Sequence, residues 1–328
     1  MSRPLVRAIR IRSTGGPDAL RLEQIELRPL GPNDVRVRHR AIGVNYIDTY
    51  HRSGLYPKPL PAGLGVEAVG RVEELGPGVE GLRPGDRVGY VGGSGEAYAE
   101  QAVVPAAALI RLPDAVSDEV AAAVLLKGLT VHMLFHQVAH PGRGDAVLFH
   151  AAAGGVGLLA CQWARDLGLE LIGTVGSRAK AELALRHGCA HAIRYREEDF
   201  VARTRELTGR RGVGIAYDSV GRDTTAGSLD CLAPRGLLVS FGNASGPPPP
   251  IELATLAAKG SLYVTRPSLF TYIADAAERD AACRRLFERL ERGALRPEIG
   301  GRYPLAEAAR AHADLEARVT TGSLLLIP

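Results

Sequence analysis

The stretch AVLFHAAAGGVGLLACQWARDLG, residues 146–168, decides the fold. Residues Ala146–His150 read as a buried strand, because an apolar run this short is bounded by a turn of small residues. Residues 155–167 then carry Val156, Leu159, Ala160 and Trp163 at helical spacing. Between them, Ala152, Gly154 and Gly157 occupy the three positions of the G-x-G-x-x-G dinucleotide fingerprint, with alanine in the first. Gly154 lets a backbone approach a pyrophosphate, Gly157 lets the helix pack on the strand, and the N–H groups of the helix start face an anion. A glycine turn alone is also what any flexible loop contains, so the surroundings decide.

Those surroundings repeat the pattern. Further strands are expected at Glu170–Val175, His191–Arg194, Gly214–Asp218, Gly236–Phe241 and Ser261–Val264, with charged amphipathic helices at Arg178–Arg186 and Glu197–Thr208. Six strands alternating with helices make a parallel sheet covered on both faces, a Rossmann-type α/β unit. Four prolines at 247–250 cannot enter a helix or a central strand, and form an extended loop after the fifth strand.

Before residue 126 the texture differs. Short β-like runs such as Val35–His39, Gly70–Glu74 and Arg87–Val91 are broken by glycine and proline, which predicts a β-rich domain. A chain of 328 residues exceeds what one hydrophobic core usually serves, so two units are expected. Their boundaries are placed at 1–126, 127–265 and 266–328, the last segment ending in an LLLIP strand that returns to the first domain.

Composition excludes several classes. An apolar share of 46% and a charged share of 23% belong to a globular protein rather than a disordered one. The start, MSRPLVRAIRIRS, lacks the apolar run of a signal peptide, and no apolar stretch of about 18 residues is evident, so a cytoplasmic protein outside the membrane is expected. Cys161, Cys189, Cys231 and Cys283 are widely spaced without C-x-x-C pairing, as reduced buried thiols would be. The +4 charge, from 40 basic and 36 acidic residues, is spread along the chain, whereas nucleic acid demands a denser patch.

A NAD-binding sheet ends its second strand with Asp or Glu for the ribose diol, but Leu171–Lys180 reads LIGTVGSRAK. Ser177, Arg178 and Lys180 offer a hydroxyl and two cations, suited to the 2′-phosphate of NADPH. Ser177 is equally a good helix N-cap, and one residue can do both.

GVNYIDTYHRSGLYP (43–57), GLGVEAVGRVEELGPGV (63–79), PGDRVGY (84–90), KGLTV (127–131), FHAAAGGVGLLACQWA (149–164), YDSVGRDT (217–224), VSFGN (239–243) and KGSLYVTRPSL (259–269) closely resemble bacterial NADPH:quinone oxidoreductases. These form the zeta-crystallin-like, zinc-free branch of the medium-chain dehydrogenase/reductase superfamily, and the resemblance covers essentially the whole chain. It implies a GroES-like first domain completed by the C-terminal segment, a Rossmann domain between, a cofactor cleft where they meet, and a homodimer joined through the sheet edge near Ser261–Val264. By position, the family's cofactor contacts fall on Asn45, Tyr50, Lys127, Thr130, Ala153, Gly154, Gly155, Val156, Ser177, Lys180, Tyr195, Ser219, Val220, Phe241, Gly242, Arg318 and Ser323, beside Gly157 and Arg178, which the fingerprint and the missing acid already supply as cofactor residues. Tyr46, Arg52 and Tyr56 come nearer the acceptor, with Asn45 and Tyr50 as further positioning groups and no essential acid among them.

Without the resemblance these residues have plainer roles. Tyr50 and Tyr56 read as core-edge residues, Asn45 as a turn or strand end, Asp48 as an N-cap, and Lys127, one of four lysines, as a boundary charge. His132, His136, His140 and His150 read as packing or surface histidines, since nothing pairs them with a nucleophile. Zinc-dependent relatives carry a cysteine where Asn45 stands and a histidine where Val66 stands, so no metal site is expected. The leading function is hydride transfer from NADPH to a quinone. Its rivals are reduction of an activated alkene on the same fold and, of another class, an RNA-binding or crystallin-like role.

Overall fold

The computed structural model describes residues 5–92 and 96–328; Met1 to Pro4 of the N-terminal segment and residues 93–95 lie outside the described residues. The chain divides into two compact units. The first holds Met1–Leu126, Cys283–Glu291 and Pro297–Pro328, and the second holds Lys127–Ala282 and Arg292–Arg296. Residues 266–282, read from sequence as part of the C-terminal segment, thus cluster with the second unit.

The second unit is built on a six-stranded, all-parallel sheet: Ala146–Phe149, Glu170–Val175, His191–Arg194, Val213–Asp218, Leu232–Ser240 and Tyr263–Thr265. Counted in chain order within this sheet, the strands lie 3-2-1-4-5-6, the doubly wound order in which ligands bind outside the carboxyl ends. Leu148, Ile172, Ile193, Val213, Ala216 and Leu238 form its buried core. Each of the leucine, isoleucine and valine side chains among them contributes about 1.5–3 kcal/mol on leaving water.

Three boundaries depart from expectation for local reasons. The strand expected from Ser261 begins at Tyr263, because Ser261 has a left-handed φ of 58°. The helix expected from Glu197 begins at Phe200, where Asp199 caps it by accepting the Val201 N–H at 2.8 Å. The strand expected from Gly236 starts at Leu232, and its register against Val213–Asp218 shifts between Leu232 and Leu237, around Arg235, whose φ is 63°.

The first unit holds a seven-stranded sheet in which Ser323–Ile327 pairs antiparallel with Asp34–Val44, Leu325 facing Gly43. The C-terminal LLLI therefore completes the sheet begun near residue 34. Ile42, Val44, Ala68, Tyr90, Val104, Leu324 and Leu326 pack together inside it. A smaller sheet joins Arg21–Glu26, Leu5–Ile11 and Ala62–Gly63.

Asp118–Val138 is long and apolar enough to cross a membrane by length and composition alone, which the sequence reading did not foresee. It is 78% buried, as the core helix of a globular protein would be. All four cysteines are buried and unbridged.

Candidate functional site

In the second unit the strand Ala146–Phe149 leads through a tight turn into helix Gly155–Leu167. Ala151 takes a left-handed φ of 56° to make the turn. A Cβ on Gly157 would stand 2.3 Å from the Ala151 carbonyl oxygen, so the helix reaches the turn only because that residue is glycine. Gly154 is the N-cap, with an extended backbone, and Ala153, Gly155 and Val156 complete the turn and the first helical residues. First-turn N–H groups have no intrahelical acceptor and present partial positive charge. An anionic pyrophosphate fits there.

The neighbouring strand Glu170–Val175 ends without an acid. Ser177 caps helix Arg178–Arg186, its hydroxyl oxygen accepting the Lys180 N–H at 3.3 Å. The Tyr195 hydroxyl lies beside Gly176, where a Cβ would come within 3.0 Å of it. Arg178 is exposed and pairs with Glu182 at 3.1 Å, an ion pair that solvent weakens and a phosphate can replace. Ser177, Arg178, Lys180 and Tyr195 are therefore gathered at one corner, with the chemistry for a phosphate monoester.

On the other side of the glycine turn, Ser219 and Val220 follow strand Val213–Asp218, while Phe241 and Gly242 follow Leu232–Ser240. The Phe241 N–H donates to the Asp218 carbonyl at 2.8 Å, and a Cβ on Gly242 would meet the Ser219 carbonyl oxygen at 2.4 Å. Phe241 packs on Phe149, ring centroids 5.7 Å apart. Five adjacent strand ends thus carry all the second-unit residues named so far, Tyr195 following His191–Arg194. Lys127 and Thr130 lie one turn from each other on helix Asp118–Met133, both buried.

In the first unit helix Tyr46–Ser53 is started by Asn45, not by Asp48 as the plainer reading had it. Asp48 sits one turn inside and its Oδ2 accepts the Asn45 backbone N–H at 2.8 Å. The Asn45 side-chain nitrogen donates to Glu67 Oε1 at 2.8 Å. A planar amide nitrogen has no lone pair to give, and Val66 is apolar, so the donor set at these positions does not fit a zinc ion. Among the described residues no three His, Cys, Asp or Glu side chains are grouped as metal ligands.

The aromatic residues form a file along and beyond this helix. Tyr46 and Tyr50 have ring centroids 6.3 Å apart, and Tyr50 meets Tyr56 edge-on at 5.2 Å. The Tyr46 hydroxyl donates to the Leu315 carbonyl at 3.0 Å. Arg52 behaves differently from a residue that touches a ligand. It is 3% exposed, holds Glu316 through two contacts at 2.9 and 2.7 Å, and donates to His312 Nδ1 and the Gly15 carbonyl. Ser323 is also buried, its hydroxyl donating to the Ala123 carbonyl at 2.8 Å, and Arg318 lies in the preceding loop with φ 57°.

Sequence reading missed two buried polar chains. In the first unit Tyr98 links His312 Nε2, 3.0 Å away, to Asp48 Oδ2, 2.9 Å away. In the second, His150 joins Thr174 and Ser228. Partners separated by 24 to 214 positions leave no spacing pattern to detect.

The alcohol dehydrogenase GroES-like domain family matches residues 31–114, and the zinc-binding dehydrogenase family matches 155–278. The quinone oxidoreductase of Pseudomonas aeruginosa is 52% identical over 99% of this chain and 100% of its own length. The crystal structure of Escherichia coli quinone oxidoreductase complexed with NADPH superposes with a TM-score of 0.97 at 49% identity, covering 98% of this chain and all of that one. The 2-haloacrylate reductase of a Burkholderia species is 43% identical over 99% of both chains. Likeness of this extent, across both units, is far beyond shared fold alone, and the chain belongs to the quinone oxidoreductase family of the medium-chain dehydrogenase/reductase superfamily.

Proposed function

We propose that this chain reduces quinones with NADPH by hydride transfer and without a metal, in the cytoplasm. The observation that carries the reading is the carboxyl edge of the parallel sheet, where a glycine turn stands beside a corner holding Ser177, Arg178, Lys180 and Tyr195 in place of an acid. NADPH, when bound, supplies the hydride. The N–H groups of Gly155 to Gly157 take the pyrophosphate, and Ser177 and Lys180 take the 2′-phosphate. Ala153, Gly154, Ser219, Val220, Phe241 and Gly242 wall the dinucleotide, and Lys127, Thr130, Arg318 and Ser323 are assigned to it by family position.

The remaining residues face the acceptor's chemistry. Hydride addition to a simple ketone creates an alkoxide, whose basicity approaches that of hydroxide, water having a pKa of about 15.7. Such an anion needs a metal or a strong acid close by. Hydride addition to a quinone gives a phenolate, comparable to tyrosinate with a pKa of roughly 10, which solvent protonates unaided. Asn45, Tyr46, Tyr50 and Tyr56 then have only to orient and stack the acceptor. Arg52, committed to Glu316 and His312, acts by holding the Tyr46–Ser53 helix rather than by contact.

A second reading is reduction of an activated alkene, favoured by the likeness to 2-haloacrylate reductase. Steady-state rates on matched panels of quinones and enones, with NADPH saturating, separate the two. Faster turnover of quinones supports the first reading, and faster turnover of enones replaces it.

The chain is also proposed to form a homodimer. Tyr263 and Val264 are 62% and 38% exposed on the edge strand of the parallel sheet, whose outer side is open to pairing.

A further inference from the structure

A buried polar chain crosses the carboxyl edge of the parallel sheet behind the proposed cofactor residues. His150 follows the strand Ala146–Phe149 and is 1% exposed. Its Nδ1 lies 2.9 Å from Thr174 Oγ1, on the neighbouring strand, and its Nε2 lies 2.9 Å from Ser228 Oγ, in helix Thr225–Cys231. Ser228 Oγ in turn lies 2.9 Å from Asp218 Oδ2. All four residues are buried, and Phe200 covers the imidazole edge-on at 5.1 Å.

The chemistry of the atoms fixes the direction of every bond. A carboxylate only accepts, so the Ser228 hydroxyl donates to Asp218. Having used its one proton, Ser228 Oγ accepts from His150 Nε2–H. The ring's Nδ1 then accepts the Thr174 hydroxyl. Burial pushes the His150 pKa below its ordinary value, which favours this neutral ring. Ser228 is no nucleophile in this arrangement, because it is sealed from solvent and its proton goes to Asp218 rather than to the imidazole.

The same residues also hold backbone. Asp218 accepts the N–H groups of Val220 at 2.8 Å and Gly221 at 3.0 Å. The Thr174 carbonyl accepts the Ala152 N–H at 3.1 Å, and the His150 N–H donates to the Tyr217 carbonyl at 3.0 Å. One connected chain therefore ties the glycine turn, the strand leading to Ser177 and the 219–221 loop.

We propose that the chain Thr174–His150–Ser228–Asp218 is a positioning device, with His150 at its centre, that sets the spacing between the glycine turn and the 219–221 loop for the dinucleotide. The inference rests on the NADPH reading of that edge, but its test has an arm that does not.

Hydrogen exchange of the cofactor-free protein is compared with that of Ser228→Ala, Thr174→Val and the double variant. Exchange at the Val220 and Gly221 amides is expected to quicken about tenfold in each single variant and no further in the double, because either change breaks the same chain. The Leu148 and Ile172 amides stay within about twofold of the unaltered protein. NADPH dissociation constants follow the same pattern, rising about tenfold in each single variant and no further in the double. Unchanged protection at Val220 and Gly221, equal loosening of Leu148 and Ile172, or additive losses in the double variant each overturn the device. NADPH binding by the unaltered protein tests the cofactor reading separately, and the exchange arm decides the chain whatever that result is.

Discussion

Asn45 and Glu67 are joined by a buried hydrogen bond of 2.8 Å in which the amide nitrogen donates, while the other Glu67 oxygen accepts the Leu126 backbone N–H at 2.9 Å. Glu67 is 1% exposed, so both of its oxygens depend on donors inside the protein. Neither a cysteine thiolate nor a carboxylate at position 45 could serve it.

Asn45→Asp removes that donor and sets a second carboxyl against a buried one. Losing a buried hydrogen bond of this kind costs about 1–3 kcal/mol, so chemical denaturation is expected to show a fall in midpoint at neutral pH. Elemental analysis of the unaltered protein is expected to find no stoichiometric zinc, and chelator to leave quinone reduction unchanged. Stoichiometric zinc with loss of activity in chelator contradicts the reading of this site.

Lys180→Ala is expected to weaken NADPH by about 1.5–3 kcal/mol, the worth of one charge-assisted phosphate contact, and to leave NADH nearly unaffected. Titration of both cofactors against both proteins checks it. Equal losses for the two cofactors, or an unaltered protein that prefers NADH, defeat the assignment of the Ser177 corner.

Acid should unfold the first unit through its histidines. His39 is held by the Ala99 carbonyl at 2.7 Å and the Tyr90 hydroxyl at 3.0 Å, and burial pushes its pKa down to about 4. Burial first and Arg52 second push His312 down to about 3. The unfolded chain takes up these protons near pH 6.5 and the folded one refuses them. Stability is therefore full above about pH 6.5 and falls below it, by about 1.4 kcal/mol per pH unit for each histidine. Thermal melts from pH 7.5 to 4.5 are expected to show Tm falling across that window, with a shallower slope in His39→Gln. A flat Tm contradicts it.

Tyr50→Phe and Tyr56→Phe are each expected to keep most quinone reductase activity, because the two rings meet edge-on and position by packing. A fall in kcat of a thousandfold or more, worth about 4 kcal/mol, with NADPH binding intact would make that tyrosine an essential acid.

The parts of this protein legible in its sequence are those governed by local pattern. Glu170–Val175, Arg178–Arg186 and His191–Arg194 lie where their apolar periods and flanking glycines put them. Gly157 could be singled out because close helix–turn approach forbids a side chain there. What stayed hidden depends on contacts across distance. Arg52 looked like a ligand contact until Glu316 and His312, brought up from the other end of the chain, were seen to occupy it. His150 looked like a packing residue because Ser228, its partner, is 78 positions away. Ser261 was misplaced in a strand because a left-handed φ at a serine has no mark in the sequence.

The central claim, NADPH-dependent reduction of quinones without a metal acid, is tested most directly by stopped-flow mixing. The protein with NADPH bound, prepared in chelator, is mixed with a set of quinones, enones and simple ketones while nicotinamide absorbance is followed. Rapid single-turnover oxidation by quinones, slower oxidation by enones and none by ketones is the predicted result. Oxidation by simple ketones as fast as by quinones, or no oxidation by any quinone, would contradict it.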